Sequence, residues 1–279
     1  MEKKKVFITV KTYPTISSKY DELVCTAGFL EDGSWIRLYP LPFRKLEYDN
    51  RYTKYQWVEL LVERNHSDCR PESYKVMDID QIALLEKIDS KTSRNYWDRR
   101  KEIVFKKETP YEDLAELLKI TKDNRRSLAI FKPTEVLDFK SEQVEREWSK
   151  EKLDLLKQKA SQYSLFQTIE EVKKEFSAVN KLPYKFSFQI RDIKGKVSKM
   201  MIEDWEIGML YWNCLKNGND EKTAISKVKD KYLGFVQKTD LHLFLGTTKE
   251  FHNVAPNPYL IVGLFVPPKQ DIDAQMKLF

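Results

Sequence analysis

Trp35, Arg37 and Tyr39 stand at alternate positions of the stretch GSWIRLYPLPFR (33–44), with Phe43 and Arg44 just beyond them. In a strand, alternate side chains share a face. The pattern sends Ile36 and Leu38 to a core and gathers two rings and a guanidinium on the other side. Such a set has two uses. It can pack beneath a neighbouring element, or it can stack on nucleobases and hold phosphates, at ~1–3 kcal/mol per stacked base. Lys11 and Tyr13, on the outward face of KVFITVKTY (5–13), extend the same surface, and Arg70 in RPES (70–73) adds a phosphate-binding residue type. The candidate nucleic-acid-binding set is therefore Lys11, Tyr13, Trp35, Arg37, Tyr39, Phe43, Arg44 and Arg70.

Residues suited to catalysis are fewer. Glu203, Asp204 and Glu206 in IEDWE (202–206) could hold a metal ion. They also read as a helix start, with Asp204 as the cap and Glu206 at the positive end of the dipole. The histidines are His66, His242 and His252; none has a placed Ser or Cys partner for a triad. No phosphate-binding glycine loop, nucleophile elbow or kinase signature is present. Cys25, Cys69 and Cys214 are odd in number and far apart, which argues against a disulfide framework and against a structural zinc site.

Composition bounds the partners. The 279 residues are 41% hydrophobic, 13% aromatic and 33% charged, with a net charge of +6. The sequence pI near 8.9 and a mean hydropathy of −0.59 permit a polyanionic partner. The longest apolar run, YLIVGLFVPP (259–268), is too short to span a bilayer and ends in prolines. The expectation is a soluble cytoplasmic protein with no membrane association and no cofactor. The basic clusters at 98–101, 105–108 and 123–127 read as solvated faces.

These residues need strands to position them. KVFITVKTY, ELVCTAGF, SWIRLYP and WVELLVER (57–64) form a meander, with the hairpin signal Asp32-Gly33 between the second and third. Ile8, Val10, Val24, Ile36, Leu38, Val58 and Leu60 are its expected core. QIALLEKI and RSLAIFKP read as further strands. TSRNYWDRRKEIVF and TPYEDLAELL read as helices, the second capped by Thr109 with Pro110 in its first turn. Residues 141–180 are charge-rich with helical spacing and read as a connector. YKFSFQIRD then places Tyr184, Phe186, Phe188 and Ile190 on one face, followed by a strand ending at IEDW, two amphipathic helices and two apolar strands. The chain is strand-rich, helical, then strand-rich again, without the regular βαβ alternation of a doubly wound sheet.

The stretch KTYPTISSKYDELVCTAGFLEDGSWIRLYPLPFR (11–44) resembles the opening of the bacterial dual OB-containing domain family, through its Lys-Thr, Cys-x-Ala-Gly and Trp-x-Arg-Leu-Tyr-Pro strands. RPES, IEDWE, FLGTT and IVGLFVPP are similar to its later landmarks. The resemblance implies two OB-like lobes and a non-catalytic nucleic-acid-binding role in prokaryotic conflict or antiphage systems. Only four strands are readable after residue 180, one short of an OB barrel unless the first half contributes one.

The expectations are as follows. The fold class is α+β and strand-rich, with two OB-like small β-barrel lobes carrying inserted and connecting helices. The domains are an N-terminal lobe over 1–140, a connector over 141–180 and a C-terminal lobe over 181–279. The function is a non-catalytic module binding single-stranded or structured DNA or RNA in a defence or repair system, partnered by an operon-encoded nuclease, helicase or NTPase. The alternatives are a metal-dependent nuclease or nucleotide-processing enzyme using Glu203, Asp204 and Glu206, or a protein–protein adaptor.

Overall fold

The structure is a computed structural model that describes residues 1–15, 24–41, 46, 51–151, 154 and 180–269. Six strands and one helix come first: β1 (Glu2–Lys11), β2 (Val24–Leu30), β3 (Trp35–Leu41), β4 (Gln56–Arg64), β5 (Ser73–Val76), β6 (Ala83–Lys87) and α1 (Tyr96–Val104). After them come α2 (Leu114–Lys122), β7 (Leu128–Phe131), β8 (Glu135–Gln143), β9 (Tyr184–Arg191) and β10 (Val197–Ile202). The last elements are α3 (Trp205–Lys216), α4 (Glu221–Lys238), β11 (His242–Thr247) and β12 (Tyr259–Phe265).

The first lobe is a closed five-stranded barrel of OB type, in the order β1-β2-β3-β5-β4, with β6 on the outer edge of β4. Closure depends on β1, which is long enough to serve two partners. It pairs with β4 from Glu2 to Ile8 and with β2 from Val6 to Lys11. β3 and β5 run parallel through Arg37 and Ser73. Val6, Ile8, Val24, Ile36, Leu38, Val58 and Leu60 fill the interior, as their alternation predicts. Val10 does not join them. A register shift between Ile8 and Val10 turns Val10 to the outer side of the barrel.

The second lobe repeats this plan with its first strand in two pieces. Its sheet runs β7-β11-β12-β10-β9-β8, with β10 and β12 parallel. β7 pairs with β11 at one edge and β8 with β9 at the other, and only residues 132–134 separate them. β7 and β8 thus do together what β1 does alone, and they are the strand the sequence lacks after residue 180. Phe139, Phe186, Phe188, Ile190, Met200, Ile202 and Ile261 line the interior, packed against Ile207 and Tyr211 of α3 and Val228 and Tyr232 of α4.

Three boundaries differ from expectation. The second lobe begins before residue 140, because β7 and β8 belong to its sheet. Residues 141–143 are strand, and the expected helical connector lies between β8 and β9 of one lobe; residues 152–153 and 155–179 of it lie outside the described residues. Finally, α2 starts at Leu114, with Asp113 as its cap accepting from Ala115 N at 2.8 Å. Thr109 and Pro110 stay outside the helix, since Tyr111 pairs its backbone with Ile130 and Lys132 beside β7. Among the described residues no helix is long and apolar enough to cross a membrane.

Candidate functional site

The alternation of β3 sets the directions of its side chains correctly, but the outward face is not an exposed platform. Trp35 is 6% exposed and Arg37 1%. The β2–β3 face, made of Ala27, Phe29 and Trp35, is covered by Leu128 and Ile130 of β7, Phe244 of β11, and Val262 and Phe265 of β12. Trp35 lies 4.0 Å from Phe29 and meets Phe244 edge-on at 5.5 Å between ring centroids. Burying so much ring surface in one seam makes the two lobes a single packed unit.

Arg37 crosses the same seam. Its guanidinium donates to Cys25 Sγ at 3.1 Å and to Ser127 O at 3.0 Å, while the Glu72 carboxylate accepts from Ser127 N at 2.9 Å. Arg70 is buried too. It forks onto Asp68 and donates to Thr247 O at 2.7 Å, with its guanidinium 5.1 Å above the Tyr39 ring. Burial would raise the Asp68 carboxyl, but Arg70 outweighs it and holds Asp68 at about 2. Tyr39 is half-buried, and burial pushes its hydroxyl up.

Lys11 and Tyr13 dock on α3. The Lys11 ammonium sits 4.6 Å from the Trp205 ring centroid, and burial, then Lys54, lowers it to about 8. Tyr13 accepts from Trp212 Nε1 at 2.8 Å and donates to Asn180 O at 2.8 Å. A Cβ at Gly208 would fall 2.2 Å from the Tyr13 ring, so only glycine admits this contact. Phe43 and Arg44 lie outside the described residues. Five of the six described candidates, Lys11, Tyr13, Trp35, Arg37 and Arg70, therefore make contacts that join the lobes, and Tyr39 lies against Arg70.

The acidic cluster is divided. Lys54 donates to both Asp204 oxygens, at 2.7 and 2.9 Å, and to Glu206 at 3.1 Å. Asp204 also caps α3. Burial pushes the Asp204 carboxyl up to about 6 against the pull of Lys54. For Lys54, burial is outweighed by Asp204 and Glu206, and the ammonium ends above its ordinary range. Glu203 stands apart, raised by burial and answered by Lys185. Among the described residues no group of three or more His, Cys, Asp or Glu could hold a metal ion.

The matching face of the second barrel is composed differently. On β9, Phe186, Phe188 and Ile190 point inward, so Lys185, Ser187, Gln189 and Arg191 point out. Their register partners are Glu142, Lys140, Asp138 and Glu135 on β8, and Met201, Lys199 and Val197 on β10. Arg191 pairs with Glu135 and Lys199 with Glu142, which holds the Glu142 carboxyl below its ordinary value; Asp138 faces Lys229 of α4 at 3.8 Å. Lys140 and Lys185 are exposed and make no direct ion pair among the described residues, although both attract Glu142 and Lys185 also attracts Glu203. The β9–β10 turn adds Lys194 and Lys196, both exposed and likewise unpaired. Ser187 at the centre is buried. Sequence reasoning passed over these lysines because it followed the aromatic residues of YKFSFQIRD, although the same alternation that buries the rings turns the cations out.

Comparisons with known proteins agree with the division into lobes. A family model described as Domain of unknown function (DUF8758) matches residues 2–106. A second, described as Domain of unknown function (DUF8757), matches residues 107–279, more than half of the chain. The chain belongs to the DUF8757 family. The boundary at 106/107 falls between α1 and α2, ahead of β7, where the DUF8757 barrel starts. No curated protein matches. Among solved structures the chain is similar to a murine DNA-binding protein bound with double-stranded DNA, at 9% identity and a TM-score of 0.30, covering 97% of this chain and 100% of that one. A likeness that low carries no argument about fold or ligand.

Proposed function

We propose that the protein is a non-catalytic nucleic-acid-binding module whose ligand lies on the β9–β10 face of the second barrel. The observation that carries this reading is the contrast between two equivalent faces. Oligonucleotides bind OB barrels on the face of the second and third strands and the loops beside it. In the first barrel that face is sealed by apolar packing. In the second it presents Lys140, Lys185, Lys194 and Lys196 without ion-pair partners among the described residues. Exposed ammonium groups at such a position match a polyanion, whose counterions are released on binding. The resemblance to the dual OB-containing family supports placing the module in a cytoplasmic prokaryotic defence or repair assembly, where an operon-encoded nuclease, helicase or NTPase supplies the chemistry.

Lysine footprinting tests this. With a mixed-sequence nucleic acid bound, Lys140, Lys185, Lys194 and Lys196 should be protected from an amine-reactive reagent, while exposed Lys91 and Lys222 stay reactive. Equal labelling with and without ligand would overturn the assignment.

A further inference from the structure

We infer that the ligand of the β9–β10 face is a duplex held through its phosphate backbone, not a single strand stacked on rings. The inference rests on the proposed function and names its substrate class. Sequence-tolerant single-strand binding needs aromatic platforms as well as charge. The described part of this face has none. Phe186 and Phe188 are buried in the barrel, and Tyr184 packs on Phe186 and Tyr211 with centroids 6.3 and 5.8 Å away. What points outward is Lys140, Lys185, Gln189, Arg191, Lys199, Val197 and Met201, together with Glu135, Asp138 and Glu142, whose charges Arg191, Lys229 and Lys199 answer; none of these offers a ring. The rings that could have stacked on bases are spent in the inter-lobe seam of the first barrel.

A face with charge and no rings gains most from the ligand of highest charge density. Duplex DNA carries about one charge per 1.7 Å of axis, and its binding constant falls with salt more steeply per contact than that of a single strand. The turn between β9 and β10 suits a regular phosphate lattice. Asp192 is buried and accepts from Lys194 N at 3.0 Å and Lys196 N at 2.8 Å, which fixes the backbone of both lysines. Gly195 between them has φ +80° and open space where a Cβ would stand, so a backbone can approach it closely. A pair of lysines whose backbone attachment points are fixed is an advantage on a rigid, repeating ligand and little help on a flexible one.

The test uses the full chain and fluorescence anisotropy with a labelled duplex of about two helical turns and each of its separated strands, between about 50 and 200 mM salt. The duplex should bind about tenfold more tightly than either strand, and Lys194→Ala and Lys196→Ala should each reduce its salt slope by about one. Lys91→Ala should change nothing. Strands that bind as tightly as the duplex would overturn the inference and leave the nucleic-acid reading standing. An unchanged slope in both turn variants would also overturn it. Failure of every ligand to bind would overturn both.

Discussion

Trp35 and Arg37 have their side chains where alternation puts them, on the outside of the barrel wall. Alternation reports which side of a sheet a residue faces and carries no information about what lies across from it. Phe244 and Val262, which cover Trp35, are more than 200 positions away in the chain, and no local pattern couples them. The consequence is energetic. Trp35→Ala should cost ~3–5 kcal/mol of stability, as loss of a buried ring does, read as a lower denaturant midpoint; a cost below about 1 kcal/mol would mean the ring is not packed as described. His252 makes a second prediction. Asn124 Nδ2 donates to Cys69 O, so its Oδ1 accepts from His252 Nε2, and His252 Nδ1 lies 2.9 Å from Thr247 Oγ1. Burial, then Arg70, lowers the pKa of the ring and favours its neutral form. A depressed pKa means the stabilisation is complete above the unfolded value of about 6.5 and is lost as pH falls through the folded value. His252→Gln should therefore flatten the fall in melting temperature below about pH 6.5, and an identical pH profile in the variant would contradict the assignment.

Most elements are legible because their periods are clean. β1 to β4, α3, α4 and the two closing strands follow directly from spacing and turn residues. The misses come where partners outweigh local signals. Thr109-Pro110 is a sound helix start in isolation, yet pairing of Tyr111 beside β7 holds that stretch extended and leaves Asp113 to cap. Pro133 breaks the first strand of the second barrel, so β7 reads as a strand of the first lobe and β8 is not read as a strand at all until their pairings with β11 and β9 are known. Within the β9–β10 hairpin, Asp192 does the positioning. It accepts from Lys194 N and Lys196 N and lies 3.4 Å from Leu114 N at the start of α2. Asp192→Ala should cost ~1–3 kcal/mol, because it strips buried acceptors from backbone donors, and should weaken nucleic-acid binding although Asp192 bears a negative charge. Tighter binding in this variant would show that the turn's charge matters and its shape does not.

At the scale of the whole molecule, two OB-like barrels share one plan and divide the work. The first turns its usual ligand face onto the second, through the Trp35 seam, the Arg37 and Arg70 networks and the Lys54–Asp204 pair. The second carries on its own face the exposed lysines Lys140, Lys185, Lys194 and Lys196 beside ion-paired acids. The sequence makes both barrels nearly readable but points to a face that the second lobe covers, because alternation does not show what lies across from it. The most direct measurement is the salt dependence of duplex binding by wild type and by a variant with Lys140, Lys185, Lys194 and Lys196 all changed to Ala. All four side chains are exposed or at a turn tip, so the melting temperature should hold. The slope of log K against log salt should fall by about three to four units, near 0.9 for each lost phosphate contact. A variant that binds with the wild-type slope would place the ligand elsewhere and contradict the account.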